Sequence, residues 1–141
     1  MNTSVLVATG NRSASFELLH YFLDKGFEVA TAADGLACIK QLSSYRPTAL
    51  VLDQELTWGG GDGVLEWMRD EKIKDVPVIL LCDDAAAGPR IERQAPVAFR
   101  VQKPYSLGLL VDCVEAATAM AATKPDWEQT GPYVILAPAV N

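Results

Sequence analysis

The chain has 141 residues, half of them hydrophobic, and a formal net charge of −6. That length supports one well-buried core and falls short of two ordinary domains, so the expectation is one domain over residues 1–123 followed by a tail or linker at 124–141. No apolar stretch approaches the roughly 20 residues that cross a bilayer, and an acidic chain without Lys or Arg interleaved among aromatics makes a poor nucleic-acid surface. Membrane insertion and direct nucleic-acid binding are therefore set aside. The start, Met1 to Ser4, has neither the basic nor the apolar region of a signal segment, so a cytoplasmic location is expected.

Short apolar runs alternate with longer stretches whose apolar residues recur every three or four positions, the pattern of βα units. The first run, 5–8, reads as a strand, and the stripe Phe16, Leu19, Phe22 and Leu23 as a first helix that Gly26 stops. A second strand at 28–32 precedes a helix capped by Asp34, carrying Leu36, Ile39, Lys40 and Leu42, and blocked by Pro47. The third strand, 49–52, leads through a glycine-rich turn at 59–63 to a helix marked by Leu65, Trp67 and Met68. After a fourth strand at 77–81, residues 86–94 give a weak helical pattern broken by Gly88-Pro89. A fifth strand at 98–101 is followed by Ser106 as a cap and a helix carrying Leu107, Leu110, Val111, Val114, Ala117 and Ala121. Runs one, three and four are nearly unbroken apolar, as strands covered on both faces are.

Five such alternations predict an α/β fold, a doubly wound five-stranded parallel sheet of order 2-1-3-4-5 in a three-layer sandwich, with ligands at the strands' C-terminal ends. The composition of 124–141 shifts to Pro, Gly, Trp and Tyr and ends in Tyr133-Val-Ile-Leu-Ala137. A tail packed on the body is preferred there over an extra strand on a sheet edge. Cys38, Cys82 and Cys113 are odd in number, far apart and set among apolar neighbours, which suits reduced core thiols. His20 has no ligand-type residue at useful spacing and reads as a core-edge side chain, Trp58 as a loop aromatic, and Trp67 as packing.

Asp53 directly follows a buried run, so its carboxylate sits at the mouth of the sheet. Lys103 lies just past the fifth run, and in this strand order it comes within reach of Asp53. A salt bridge between the two is expected, with Pro104 after the lysine able to adopt a cis bond cheaply.

The segments Thr31-Ala-Ala-Asp-Gly35, Arg46-Pro-Thr-Ala-Leu-Val-Leu-Asp53, Val76-Pro-Val-Ile-Leu-Leu81 and Val101-Gln-Lys-Pro-Tyr105 together resemble the receiver domain of response regulators, the CheY-like family, over residues 4 to about 120. The resemblance implies a two-component signalling module rather than an enzyme, with Asp53 as phosphoacceptor and Lys103 reading the acyl phosphate. Its partners would be a histidine kinase or phosphotransfer protein and a downstream protein, met through the fourth helix, fifth strand and fifth helix; a homodimer is a further option. Thr9 and Gly10 stand where the family carries its Mg²⁺-binding acids, and Asn11 offers only a neutral oxygen. No cofactor is expected; Asp53 and Glu55 are weak candidate metal ligands, and Asp83 or Asp84 lies nearby in sequence. Cys82 occupies the switch Ser/Thr position and is a poor donor. At the aromatic switch position stands Arg100, with Phe99 before it, and a surface ion pair is the expected role of Arg100. As an alternative, Thr9-Gly10-Asn11 and Thr57-Trp58-Gly59 resemble the phosphate and flavin-stacking loops of FMN-binding flavodoxins, though Lys103-Pro104 has no counterpart there.

Overall fold

A computed structural model describes residues 3–57, 59–83, 96–121 and 133–136. Its elements, in chain order, are β1 (Ser4–Ala8), α1 (Arg12–Asp24), β2 (Glu28–Ala32), α2 (Gly35–Ser44), β3 (Ala49–Asp53), α3 (Gly60–Asp70), β4 (Val78–Cys82), β5 (Val97–Gln102), α4 (Leu107–Ala121) and β6 (Tyr133–Ile135). All neighbouring strands run parallel, in the order β2-β1-β3-β4-β5-β6. The α/β class and the order of the first five strands agree with the sequence. The strand number does not: residues 133–135, preferred above as part of a packed tail, add a sixth strand beside β5. β-Branched and aromatic side chains at Tyr133, Val134 and Ile135 favour extended backbone, and Phe99 and Tyr133 meet with ring centroids 5.6 Å apart.

The two faces of the sheet carry separate cores because side chains alternate along each strand. Val5, Val7, Val51, Ile79 and Val101 face Leu18 and Phe22 of α1 and Leu110, Val114 and Ala117 of α4. Leu6, Leu50, Leu52, Val78 and Leu80 face Cys38 and Leu42 of α2 and Val64, Leu65 and Met68 of α3. β3 and β4, in the middle, are buried along their whole length.

The helix faces differ from the expected stripes. On α1 the buried pair is Leu18 and Phe22, whereas Phe16 is 64% exposed and Leu23 46%. On α2 the sheet covers Cys38 and Leu42 and leaves Leu36 outside. In both helices a stripe wide enough to include flanking positions overstated the contact, because a flat sheet touches only the i, i+4 ridge nearest to it. Helix α3 also starts earlier than expected, taking most of the glycine turn into its first residues. The helical pattern at 86–94 falls outside the described residues.

Caps fix where the helices begin and end. Asn11 Oδ1 accepts from Ala14 N at 3.0 Å, Asp34 Oδ1 from Ala37 N at 2.8 Å, and Ser106 Oγ from Leu109 N at 3.1 Å. α1 closes in a left-handed turn: Phe27 N donates to Phe22 O, Gly26 N donates to Leu23 O, and the Phe22 and Phe27 rings pack edge to face at 5.2 Å. Gly26 has φ +92°, and nothing lies within 4 Å of a Cβ built there, so the backbone angle alone decides the effect of a side chain. Gly26→Ala is expected to destabilise the fold by about 1 kcal/mol, measured by urea unfolding, with far-UV circular dichroism unchanged.

Candidate functional site

Three strands end at one rim of the sheet. Ala8 pairs with Leu52, so Thr9, one residue on, comes beside Asp53, the last residue of β3. The ladder continues past the strand ends through Gln54 N to Leu81 O at 2.9 Å and Lys103 N to Cys82 O at 2.9 Å. These bonds fix the loops that carry Asp53 and Lys103. Lys103-Pro104 is a cis peptide bond.

Asp53 is nearly buried, its side chain 11% exposed, and both carboxylate oxygens are engaged. Oδ1 accepts from Lys103 Nζ at 2.9 Å and from Glu55 N at 3.0 Å; Oδ2 accepts from Thr9 Oγ1 at 3.0 Å. A carboxylate oxygen has two lone pairs. Among the described residues, Oδ1 therefore has both directed at donors, and Oδ2 keeps one for bonding an incoming electrophile. Thr9 is itself buried and accepts from Asn11 N at 3.2 Å, so its hydroxyl is oriented from both sides.

The remaining candidate residues divide into those at this cluster and those beside it. Asn11 uses its side-chain oxygen in the α1 cap. Gly10 lines, with Thr9, Arg12, Phe16, Thr31 and Ala33, a cavity of about 270 Å³ that contains no carboxylate. Glu55 contributes its backbone N–H to Asp53 while its side chain is exposed. Asp83 Oδ1 lies 4.0 Å from Lys103 Nζ, and its side chain is largely exposed. Cys82 is fully buried at the end of β4, its Sγ 3.7 Å from Val101 O and 3.8 Å from Leu80 O. Trp58 and Asp84 fall outside the described residues. Among the described residues no group of three His, Cys, Asp or Glu side chains is arranged to hold a metal ion.

Two side chains differ from their expected places. Arg100 is buried, at 6% exposure, where a surface ion pair was expected, because β5 has become an interior strand flanked by β4 and β6. His20 is exposed on α1, its ring 4.2 Å from that of Phe16. The three thiols are free and buried; burial pushes Cys38 up to about 12 and Cys113, with the Asp112 charge adding, to about 11, so neither reacts at neutral pH.

Thr9 as a donor to Asp53 was missed in the sequence, where the position was read for the acid it lacks. The signal was present: Thr9 and Asp53 each directly follow a buried run, and adjacent parallel strands bring such residues side by side. Gly61 was also missed. A Cβ there would lie 2.8 Å from Gln54 Cα and 2.9 Å from Asp53 O, so only glycine lets the start of α3 press against the exit of β3.

The charges shift two titrations. For Lys103, burial favours the neutral form, but the Asp53 hydrogen bond and the charges of Asp53, Asp83 and Glu55 outweigh it and raise the pKa above the ordinary 10.5. Glu55 is raised by a hydrogen bond with the Asp83 carboxyl and by that carboxylate's charge, so its neutral form is favoured.

No family model matches the chain. Among curated proteins it is similar to the transcriptional regulatory protein PrrA of Mycobacterium tuberculosis, 35% identical over 92 residues, covering 64% of this chain and 39% of that one. It is also similar to hybrid signal transduction histidine kinase D of Dictyostelium discoideum, 33% identical over 104 residues, covering 72% of this chain and 7% of that one. The chain thus spans well under half the length of these relatives. Among solved structures it superimposes on a Francisella response-regulator receiver domain at TM-score 0.73 and 21% identity, covering 84% of this chain and 98% of that one. The chemotaxis response regulator CheY4 of Vibrio cholerae gives TM-score 0.74 at 20% identity, covering 83% and 99%. The fold is that of CheY-like response-regulator receiver domains, the sequence matches are to signal-transduction and regulatory proteins, and nothing in these matches supports a flavin carrier. Among the described residues no helix is long and apolar enough to cross a membrane.

A raised lysine pKa means that the folded state holds this proton more tightly than the unfolded chain. The ion pair's contribution is therefore complete below the ordinary lysine value and is lost as pH rises through the raised one. Lys103→Met is expected to lower stability by about 1–3 kcal/mol at neutral pH, mostly by leaving a nearly buried carboxylate short of a partner. The deficit should narrow in denaturant titrations carried above the lysine range; a gap independent of pH would assign the effect to packing.

Proposed function

We propose that this chain is an atypical receiver of two-component signal transduction: a signalling module, not an enzyme, that acts through protein contacts. Asp53 is its candidate phosphoacceptor, Mg²⁺-dependent phosphorylation of it is weak or absent, and the domain works without a cofactor. The supporting observation is that Asp53 is balanced by Lys103 and the Thr9 hydroxyl, and that among the described residues no group of three acidic, His or Cys side chains is arranged to hold a metal ion. Mg²⁺ is a hard cation that keeps its waters unless anionic oxygens replace them. Without it, the charge on a transferring phosphoryl group loses its main stabilisation. Among the described residues the Lys103 ammonium would then be the cation facing the phosphoryl oxygens, while Asp83, 4.0 Å from that ammonium, would repel them.

A histidine kinase or phosphotransfer protein is the expected upstream partner and another protein the expected downstream one. The histidine-kinase and regulatory-protein matches support this reading. Such partners would meet the protein at its surface, in the cytoplasm, so the interaction role does not depend on phosphate reaching Asp53.

Beryllofluoride with Mg²⁺, followed in amide NMR spectra, tests the closed site. Resonances around Thr9, Asp53 and Lys103 are expected to stay in place at millimolar reagent; saturable shifts there would refute the weak-phosphorylation reading. The double variant Thr9→Asp with Gly10→Asp tests the cause. It is expected to unfold more easily than wild type without cation and to gain stability with Mg²⁺, by about 1.4 kcal/mol at ten times the dissociation constant, while wild type gains nothing measurable.

A further inference from the structure

The sixth strand carries its own consequence. β6 pairs with β5 along one side, Tyr133 opposite Phe99 and Ile135 opposite Val101, and among the described residues nothing pairs its other side. An unpaired edge presents a row of N–H and C=O groups to any extended chain. Protein edges are usually blunted by a charge, a proline or a bulge; 133–136 reads Tyr-Val-Ile-Leu and has none of these. Of the seven large hydrophobic side chains exposed among the described residues, three, Tyr133, Val134 and Leu136, fall within these four positions. Tyr133 and Ile135 lean toward the α4 side, where Tyr133 meets Phe99 and Ile135 packs on the core. Strand alternation sends Val134 and Leu136 to the opposite face, and they are 47% and 58% exposed.

From these features we infer that β6 pairs with β6 of a second copy of this chain, antiparallel about a twofold axis, joining two six-stranded sheets into one. Charge selects the occupant. The chain carries a net −6, yet residues 129–141 contain no charged side chain, so two copies repel least where these segments meet. The other sheet edge, β2, begins at the exposed Glu28 and offers no comparable apolar row. A twofold axis normal to the sheet keeps each strand's faces in place, so residues of the same parity oppose each other. A register centred on Ile135 sets Val134 against Leu136 of the second copy on one face, which covers the two most exposed side chains of the segment. Pro132 and Pro138 bracket the stretch in sequence, so the pairing seam is short. So short a seam buries less than the area of a stable interface, and the dimer is weak: present at about 0.1–1 mM chain and dissociated below about 10 µM.

Sedimentation velocity over that range tests the proposal with the full chain. Wild type is expected to shift from monomer toward dimer, with concentration-dependent amide shifts at residues 133–136. Val134→Lys and, separately, Leu136→Lys place a charge on an exposed edge position, and each is expected to weaken association at least tenfold while leaving circular dichroism and the Asp53 and Lys103 resonances unchanged. Wild type that stays monomeric at 1 mM, variants that associate as strongly as wild type, or shifts that map instead to exposed Phe16 and Leu23 on α1 would each overturn it.

Discussion

A nearly buried carboxylate at the end of a central strand has to be neutralised, and the rest of this site follows from that. Asp53 is the terminus of β3, and its partners come from the ends of β1 and β5 and from its own loop. An ionised carboxylate in such a place costs several kcal/mol unless it is paired and hydrogen-bonded. The pairing is available only because the strand order puts β1 beside β3 and brings β5, two places away, close enough for a lysine side chain to reach across. Sheet topology and site chemistry therefore constrain each other.

Charge count separates this site from one built for a cation. Two acids in place of Thr9 and Gly10 would leave a net surplus of negative charge around Lys103, which a divalent ion would relieve. With a hydroxyl and a glycine there, Asp53 and Lys103 already balance. Two further acids among the described residues, Glu55 and Asp83, are exposed, share a hydrogen bond and raise the lysine's pKa. Asp53 and Lys103 balance each other as a pair, through charge and a hydrogen bond, and the proposal of weak Mg²⁺-dependent phosphorylation rests on that pairing.

Much of this was legible in the residues, for reasons that can be named. Continuous apolar runs at β1, β3 and β4 announce strands covered on both faces, and strand ends announce where Asp53 and Lys103 must lie. Capping by Asp34 and the stop at Gly26 depend on neighbours within a few positions, so they too were readable. What was not readable depends on distant contacts. The buried faces of α1 and α2 are set by how the helices lie on the sheet, so Phe16 and Leu36 ended outside. Thr9 shows its role only once β1 and β3 are side by side. The last segment pairs over three residues after a long connection, and a strand that short gives no periodicity to read.

That segment also decides the environment of β5. Without β6, β5 would be the edge strand, and Phe99 would lose the ring of Tyr133 that now lies against it. Adding β6 buries Arg100 within the sheet and completes the wall of the α1/α4 core through Ile135. It does not remove the edge; it moves the edge one strand outward, onto a shorter and uncharged stretch. Val101, the β5 partner of Ile135, lies two residues before Lys103, so the strand that carries the lysine to Asp53 is the same one on which the new edge is built. Any force that pulls β6 away acts first on β5, and through β5 on the position of the ammonium that balances the charge of Asp53.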